Sequence, residues 1–223
     1  MENDDALNDI YQTLLSAFGP RQWWPADTTE EVVIGAILAQ NVAWENARKA
    51  IENLKQNNLL SLAAIHETDA STLAPLIRPS RFYHQKAERL KNFTHLLFDG
   101  FKGELSDMFG LGLAPLRQAL LDLKGFGEET VDSILLYAAE KPIFVIDAYT
   151  RRIFSRLALI EADASYRAYQ QFFMSRLPAD TALYNDYHAQ LVYLGNRICK
   201  KKSPLCTECP LNHRCHHKME PLQ

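Results

Sequence analysis

All four cysteines of this 223-residue chain lie within one 17-residue stretch near its C-terminus. They are Cys199, Cys206, Cys209 and Cys215, with the spacing C-x6-C-x2-C-x5-C. The sequence shows no secretory leader, so we expect no disulfides, because these persist mainly in oxidising compartments. Four thiolates in one loop suit a zinc ion or an iron–sulfur cluster, and the spacing alone leaves both open. The stretch therefore predicts a loop that folds around a metal centre.

Outside this loop the dominant sequence pattern is helical. Apolar residues recur at i, i+3, i+4 and i+7, and Pro and Gly positions, including Gly100, predict breaks between the runs. Such runs occupy residues 46–56, 83–98, 114–124, 128–140 and 147–159. Thr28 stands three residues before Glu31, the spacing of a helix capping box. The one β-like run, 142–146, is too short to build a sheet. The sequence therefore predicts an all-α fold.

Composition and charge limit the possible partners of the chain. There is no apolar run of 18 or more residues, so we expect no membrane span and a cytoplasmic location. The net charge of −3 argues against nucleic acid at first sight. However, residues 196–223 carry six Lys and Arg against two Asp and Glu. Phosphate binding needs a local basic surface, not a basic protein, so this distribution permits DNA binding without proving it.

Two glycines stand one residue apart in "LKGFGEETVDSIL", immediately before a helical run. Gly125 and Gly127 have no Cβ, so another molecule can approach their backbone closely. The N–H groups from Glu128 to Val131 open the next helix without an intrahelical partner, at the positive end of its dipole. Together these groups suit an anion such as a phosphate. A tight turn between two helices accounts for the same residues equally well.

The Gly-Phe-Gly turn, the later Asp147 in "VIDAY" and the cysteine loop stand in an order that resembles the helix-hairpin-helix DNA glycosylases of the endonuclease III superfamily. The resemblance covers about residues 29–215. The cysteine spacing is that of the [4Fe–4S] cluster in this family, so the resemblance favours a cluster over zinc. It also implies that the chain is a base-excision DNA repair enzyme.

The resemblance implies two helical lobes with a DNA cleft between them. A six-helix barrel with the helix-hairpin-helix motif would span residues 28–137. Residues 1–27 and 138–223 would form a discontinuous helical lobe with the cluster loop at 199–215. The partner would be double-stranded DNA that contains a damaged base, and the base would be flipped into the cleft, because its glycosidic bond is unreachable in the stack. We expect a monomer associated with the nucleoid.

Several DNA contacts are implied by the resemblance alone. Gln40 aligns with a glutamine that fills the hole left by the flipped nucleotide, and Phe82 aligns with an apolar wedge that enters the base stack. A polar residue at a helix end and a core aromatic residue are the simpler interpretations of these two positions. The remaining implied contacts lie in the hairpin and the basic tail, at Lys124, Gly125, Gly127, Thr130, Lys200, Lys201 and Lys202.

Asp147 is the catalytic residue that the resemblance implies. It follows an apolar run and opens a helix, so helix capping is the simpler interpretation, although one carboxylate can do both. A carboxylate stabilises the positive charge that develops on the sugar as the base leaves, and it can orient or deprotonate the attacking water. Glu129 stands where endonuclease III has a lysine that attacks the sugar. A carboxylate cannot form a Schiff base, so we expect a monofunctional glycosylase without lyase activity.

The three tryptophans lie within 22 residues and bear on the substrate. N-alkylated purines carry positive charge, leave readily and stack well on indole faces. "ILAQNVAWENARKAIENLK" and "IRPSRFYHQKAERL" resemble the 3-methyladenine DNA glycosylase branch, and this implies a base pocket lined by Trp24, Pro25 and Trp44. Ordinary core packing accounts for the same tryptophans. The well-known member of that branch lacks the cluster cysteines, which this chain keeps.

These features predict hydrolysis of alkylated purines such as 3-methyladenine and 7-methylguanine. One alternative is a uracil or thymine mismatch glycosylase, or an oxidised-pyrimidine glycosylase, of the same fold. A neutral pyrimidine needs hydrogen bonds to its edge, which a tryptophan-lined pocket does not favour. A further alternative is a non-catalytic helix-hairpin-helix DNA-binding protein, which has no need of Asp147.

Overall fold

The computed structural model describes residues 2–21 and 23–217, with side chains described from Ala6 onwards. Within these residues the chain forms twelve α-helices and no β-strand, which confirms the all-α fold. The helices are α1 (Glu2–Phe18), α2 (Thr29–Leu38), α3 (Trp44–Gln56), α4 (Leu62–Glu67), α5 (Ala70–Leu76), α6 (Tyr83–Phe101), α7 (Leu105–Phe109), α8 (Leu113–Leu121), α9 (Glu128–Tyr137), α10 (Ala148–Arg156), α11 (Tyr166–Met174) and α12 (Thr181–Arg197). Short 3-10 turns lie at Arg78–Ser80, Cys206–Glu208 and Asn212–Arg214. No helix in this described part is both long and apolar enough to cross a membrane.

The chain divides into two compact units. One is the continuous segment 24–141, which contains α2 to α9. The other combines residues 1–23 with residues 142–223 and contains α1, α10 to α12 and the cysteine loop. We call them the continuous unit and the discontinuous unit.

Two helices form the interior of the continuous unit. In α2 every residue from Val32 to Leu38 is buried, and in α9 every residue from Thr130 to Tyr137 is buried. The two helices pack against each other, α3 packs on α2, and α8 packs on α9. The long helix α6 packs on α4 and α5. Burial on all sides explains why α2 reads as an unbroken apolar run.

The discontinuous unit is built around aromatic side chains. Phe144 stacks on Phe173 with 4.0 Å between ring centroids, and Tyr187 meets Phe144 edge-on at 5.7 Å. The helix α12, which carries Tyr187, packs on α1 and α10. Aromatic pairs of this kind add specific geometry to the area that they bury.

The β-like run 142–146 forms no regular secondary structure, and helix α11 satisfies part of its backbone. The hydroxyl of Tyr166 accepts a hydrogen bond from the Ile146 N–H at 3.2 Å. The side-chain amide of Gln170 donates to the Phe144 carbonyl at 2.8 Å. A buried backbone needs such partners where no neighbouring strand supplies them. The segment leads to Asp147, whose own backbone is extended at the start of α10.

The local signals for helix ends are partly confirmed. Thr28 Oγ1 caps α2 by accepting from the Glu31 N–H at 3.1 Å. The returning carboxylate of Glu31 accepts from the Asp27 N–H at 3.1 Å, one residue before the cap that the capping box implies. The predicted break at Gly100 is wrong, because α6 continues to Phe101. One glycine inside a helix costs only about 1 kcal/mol, which is not enough to end a long helix that packs on α4 and α5.

Candidate functional site

The hairpin between α8 and α9 uses its two glycines for different reasons. Gly125 has φ +89°, and a Cβ there would lie 2.5 Å from Nε of Arg89, so the fold itself requires glycine. Gly127 has φ −97°, and a Cβ there would meet nothing within 4 Å. The fold therefore leaves room at Gly127, a position where an incoming molecule would benefit from the missing side chain.

The N-terminus of α9 has no side-chain cap. Gly127 is the N-cap residue, and its carbonyl accepts from the Val131 N–H at 3.0 Å. The amides without an intrahelical acceptor are therefore those of residues 128–130, one fewer than the sequence predicted. Lys124 and Gly127 are exposed beside this end of the helix. These first amides have no acceptor within the helix, and the dipole makes this end positive, which suits a phosphate.

Gln40 lies just after α2 and is tied to the hairpin. Its Nε2 donates to Thr130 Oγ1 at 2.8 Å and reaches the Gly125 carbonyl at 3.5 Å. Its Oε1 accepts from the guanidinium of Arg89. Thr130 is itself buried, and its hydroxyl already binds Gln40. The structure thus brings three of the predicted contacts, Gln40, Gly125 and Thr130, into one hydrogen-bonded group, with Arg89 as an unpredicted fourth member.

Phe82 is exposed to solvent, and its backbone is left-handed. Its side chain is 60% exposed, and it has φ 41° after Arg81 with φ 56°. Left-handed backbone costs a residue with a side chain roughly 1–2 kcal/mol. The core-aromatic interpretation of Phe82 is therefore wrong. An exposed phenyl ring on unfavourable backbone is the kind of residue that serves a partner instead of the fold.

Aromatic side chains form a group in the continuous unit. The rings of Trp24 and Trp44 meet edge-on with 5.3 Å between centroids, and Trp24 lies 5.4 Å from the ring of Tyr137. Both indoles are half-buried, whereas Tyr137 is buried. Gly35 makes room for this group, because a Cβ there would lie 3.0 Å from Nε1 of Trp24. Pro25 is exposed in the loop that leads to α2. Tyr137 and Gly35 carry no sequence signal of their own.

Asp147 caps α10 in the discontinuous unit. Its Oδ1 accepts from the Thr150 N–H at 2.7 Å, so the capping role predicted from the sequence is real. Its Oδ2 lies 3.8 Å from Nε2 of His188 on α12. Both residues are nearly buried, with 8% of Asp147 and 5% of His188 exposed. Burial lowers the pKa of His188 below its ordinary value, and the charge of Asp147 only partly opposes this. A lowered pKa favours the neutral imidazole at neutral pH.

His188 is the member of this pair that sequence reasoning missed. It lies 41 residues after Asp147 within an ordinary helical run, "YHAQLVYLG". The pairing exists because α12 packs on α10. No motif reports such packing, so only the fold could have identified His188.

The four cysteines converge on one cavity. Cys199, Cys206, Cys209 and Cys215 all line it, and all four are half-buried. Burial raises the pKa of the Cys209 thiol, and the charges of the other three thiols add to the rise. Among the described residues, no three side chains of His, Cys, Asp or Glu are grouped so that they could hold a single metal ion. The four sulfur atoms therefore line one cavity but are not grouped as the ligands of a single ion.

Two arginines of α10 hold this loop. Arg156 Nη1 donates to Cys199 Sγ at 3.2 Å and to the Lys200 carbonyl at 2.9 Å. Arg152 Nε donates to the Cys199 carbonyl at 2.8 Å. The side chains of Lys200, Lys201 and Lys202 remain exposed. The backbone of the basic segment is therefore fixed, while its three ammonium groups are available to a phosphate backbone.

Comparison with known proteins identifies the family. Residues 34–179 match the family described as HhH-GPD superfamily base excision DNA repair protein. A protein of Methanocaldococcus jannaschii with the provisional description DNA repair glycosylase is 44% identical over 216 residues, which cover 96% of this chain and 97% of the relative. Endonuclease III of Thermotoga maritima is 30% identical over 82% of this chain and 81% of its own length.

Solved structures agree with these relatives. The H. pylori 3-methyladenine DNA glycosylase bound to 1,N6-ethenoadenine has a TM-score of 0.72 and 29% identity, and the match covers 88% of this chain and 96% of that one. An endonuclease III–DNA complex has the same fold, with a TM-score of 0.81 at 21% identity over 95% and 94% of the two chains. The family match spans more than half of the sequence, and the relatives match along nearly all of it. The chain therefore belongs to the HhH-GPD superfamily of base excision DNA repair proteins.

Proposed function

We propose that this DNA repair glycosylase is monofunctional and hydrolyses the N-glycosidic bond of alkylated purines flipped out of duplex DNA. The observation that carries the substrate class is the aromatic group of Trp24, Trp44 and Tyr137. Two half-buried indoles offer electron-rich faces and few hydrogen-bonding groups, which favours a cationic purine over a neutral pyrimidine. The H. pylori glycosylase bound to an ethenoadenine, at 29% identity, supports the same class.

Asp147 supplies the chemistry in this proposal. As the base departs, positive charge develops on the sugar, and a carboxylate of fixed position stabilises that charge. The Thr150 N–H fixes one oxygen of Asp147 at 2.7 Å. The other oxygen faces a neutral imidazole, so its charge is not cancelled by a cation on that side. This oxygen is the one that would meet the sugar or the attacking water.

The proposal of a monofunctional reaction rests on Glu129. It lies exposed in the first turn of α9, where the helix dipole favours a carboxylate. A carboxylate cannot form the Schiff base on which strand cleavage by a lysine depends. Base removal by this chain would leave an intact abasic strand.

The DNA contacts in this proposal are of two kinds. Gly125 and Gly127, the N-terminal end of α9, and the exposed lysines at 124 and 200–202 would bind phosphates without reading sequence. Gln40 and Phe82 would enter the base stack at the damaged position. The exposure of Phe82 and the hydrogen bonds between Gln40 and the hairpin support these roles.

A [4Fe–4S] cluster is the cofactor that we propose for the cysteine loop. The donor set fits, because four thiols surround one cavity and a Cys₄ set is what such a cluster takes. Cys199, Cys206, Cys209 and Cys215 would hold it. When bound, the cluster supplies a covalent cross-link of the loop and takes no part in the hydrolysis.

The test is a panel of duplexes, each with one defined base: 3-methyladenine, 7-methylguanine, 1,N6-ethenoadenine, uracil or thymine opposite guanine, an oxidised pyrimidine, or no damage. Base release is measured directly, and strand breaks are measured with and without alkali. We expect release of the alkylated purines, breaks only after alkali, and no adduct trapped by borohydride. Trp44→Ala should reduce alkylpurine release more than binding to an abasic duplex, whereas Trp44→Phe keeps an aromatic face and should retain most of the release.

Each other outcome selects another function. If only uracil, thymine or oxidised pyrimidines are released, the substrates are pyrimidines and not alkylated purines. Breaks without alkali, or a borohydride-trapped adduct, would show lyase activity. Tight binding with no release from any duplex would indicate a DNA-binding protein without catalysis.

A further inference from the structure

Lys86 on α6 is a fully buried lysine whose ammonium binds two backbone carbonyls. Its side chain has 0% exposure. Nζ donates to the Leu38 carbonyl at 2.7 Å and to the Ser80 carbonyl at 2.5 Å. Burial, with a smaller effect of the Arg89 charge, lowers the pKa of Lys86 to about 8. Lysine is almost never fully buried unless it is partnered, so the hydrogen bonds to these two carbonyls are what allow the burial of Lys86.

Both carbonyls stand at the C-terminal end of a helical segment. Leu38 is the last residue of α2, and Ser80 is the last residue of the 3-10 turn Arg78–Ser80. Carbonyls at such ends lack an intrahelical donor and carry the negative end of the dipole. One ammonium group therefore caps two helix ends at once and fixes the distance between them.

The two residues proposed to enter DNA follow directly from these two ends. Gln40 comes two residues after Leu38, and Phe82 comes two residues after Ser80. In both places the chain then turns through left-handed backbone, at Asn41 with φ 53° and at Phe82 with φ 41°. Backbone of this kind persists only where its surroundings hold it.

We propose that Lys86 is a positioning residue that sets Gln40 and Phe82 at one spacing, so that both enter the duplex at the damaged site together. This inference rests on the proposed function, because it assigns a support to residues that the proposed function places in DNA. Lys86 itself is fully buried and would touch neither DNA nor the base.

The chain contains a matched control on the same helix. Lys91 donates from Nζ to the Ile65 carbonyl at 3.2 Å and to the His66 carbonyl, close to the end of α4. Lys91→Met thus removes the same charge and the same type of cap as Lys86→Met. Only Lys86 binds the helix ends that lead directly into Gln40 and Phe82. A general loss of charge or of helix capping would affect both variants alike.

The DNA measurement compares a duplex that contains a tetrahydrofuran abasic analogue with the same duplex undamaged. We expect Lys86→Met to lose the preference for the damaged duplex by about tenfold, with Lys91→Met within about twofold of wild type. The fluorescence of 2-aminopurine opposite the analogue should rise on binding of wild type and Lys91→Met, and rise less with Lys86→Met. Adding Phe82→Ala to Lys86→Met should reduce the preference by no more than about a further twofold, because the wedge is already misplaced.

A measurement without DNA separates this inference from the proposed function. Amide hydrogen exchange at residues 39–42 and 80–83 should be faster in Lys86→Met than in wild type and Lys91→Met. If Lys86→Met does not fold, Lys86→Gln takes its place, because glutamine is uncharged and one bond shorter and so weakens the cap while it keeps a polar group in the buried site. Unchanged exchange in both segments, or a damage preference equal to that of Lys91→Met, overturns the role of Lys86. A wild-type protein with no damage preference and no base release overturns the proposed function. Faster exchange in Lys86→Met, confined to these two segments, would then still show that Lys86 holds them in place.

Discussion

Asp147 uses its two carboxylate oxygens for different purposes. Oδ1 accepts the Thr150 N–H and closes the first turn of α10, whereas Oδ2 faces His188. The hydrogen bond fixes the rotamer of the side chain, so the second oxygen keeps a defined direction. A carboxylate held in this way needs no reorganisation when charge develops nearby, which is the condition for strong electrostatic stabilisation.

Asp147→Asn separates capping from catalysis. Asparagine caps helices about as well as aspartate, so the free energy of unfolding and the affinity for DNA should change little. Base release should fall about a hundredfold to a thousandfold, because the charge is gone and each ~1.4 kcal/mol is a factor of ten. Single-turnover release of 7-methylguanine and of a neutral base measures this, and the neutral base should suffer more.

Asp180→Asn is the matched control for that experiment. Asp180 caps α12 by accepting from the Leu183 N–H at 2.9 Å, in an exposed position. The same substitution there should leave base release unchanged. Near-normal release by Asp147→Asn would show that the carboxylate is only a cap.

His188 should make stability depend on pH. Its pKa in the folded state is held below the unfolded value of about 6.5, so the unfolded chain binds more protons in the interval between the two. The free energy of unfolding should therefore fall as the pH drops below about 6.5. His188→Asn should show a shallower fall between pH 7 and pH 5 in chemical denaturation. His84→Asn changes an exposed histidine and should keep the slope of wild type; an equal slope in His188→Asn would contradict the assignment.

The sequence could identify Asp147 but not its neighbours. An aspartate after an apolar run and before an amphipathic one is a visible cap signal, and the catalytic role that the resemblance implies for it stays a prediction. His188, Tyr137 and Lys86 carry no local signal, because each acquires its partners only when the chain folds. Phe82 is a different case. The sequence singled out its position, but its exposure and its left-handed backbone are known only from the structure.

At the scale of elements, the hairpin is where sequence reasoning needed most refinement. The pair Gly125 and Gly127 was predicted as one feature, a close approach of backbone to phosphate. The structure divides it, since Gly125 is required by its positive φ and by Arg89, and Gly127 is not required by the fold. A sequence shows that two glycines are present but not which φ each adopts.

This division predicts opposite effects of two similar substitutions. Gly127→Ala should change the free energy of unfolding by less than about 1 kcal/mol, but should weaken binding to any duplex, because its Cβ projects into open space beside the α9 amides. Gly125→Ala should lower the free energy of unfolding by about 1–3 kcal/mol through backbone strain and the clash with Arg89. Thermal unfolding and affinity for an undamaged duplex at moderate salt measure both. If Gly127→Ala binds the duplex with the affinity of wild type, the hairpin is not the part of the chain that anchors DNA.

At the scale of the whole molecule, the all-α class and the family could both be predicted from the sequence. Helical periodicity is strong in nearly every segment, and the cysteine spacing together with the Gly-Phe-Gly turn is specific. The barrel at 28–137, the lobe of 1–27 with 138–223 and the cleft stay predictions, although internal contacts divide the chain at residues 24 and 141. Periodicity locates helices but carries no distances between them, so it could not supply the arrangement.

The cysteine loop is connected to the rest of the discontinuous unit through α10. Arg152 and Arg156 bind the backbone of residues 199–201 and the sulfur of Cys199. In the described part of the loop, the regular structure consists of two 3-10 turns, Cys206–Glu208 and Asn212–Arg214. A segment with so little regular structure gains its order from what it binds.

Loss of the proposed cluster should therefore disorder the loop and leave most helices intact. We expect about four irons per chain in protein from iron-replete cells, together with a broad visible absorption. Cys209→Ser should lose the iron and the colour. The far-UV circular dichroism should fall only slightly, because α2 to α9 pack among themselves without the loop. Limited proteolysis of Cys209→Ser should cut first within residues 199–217. The same cleavage should be slow in Ser203→Ala, a control in the same exposed loop. Stoichiometric zinc without iron, or an iron content unchanged in Cys209→Ser, would contradict a cluster held by these four thiols.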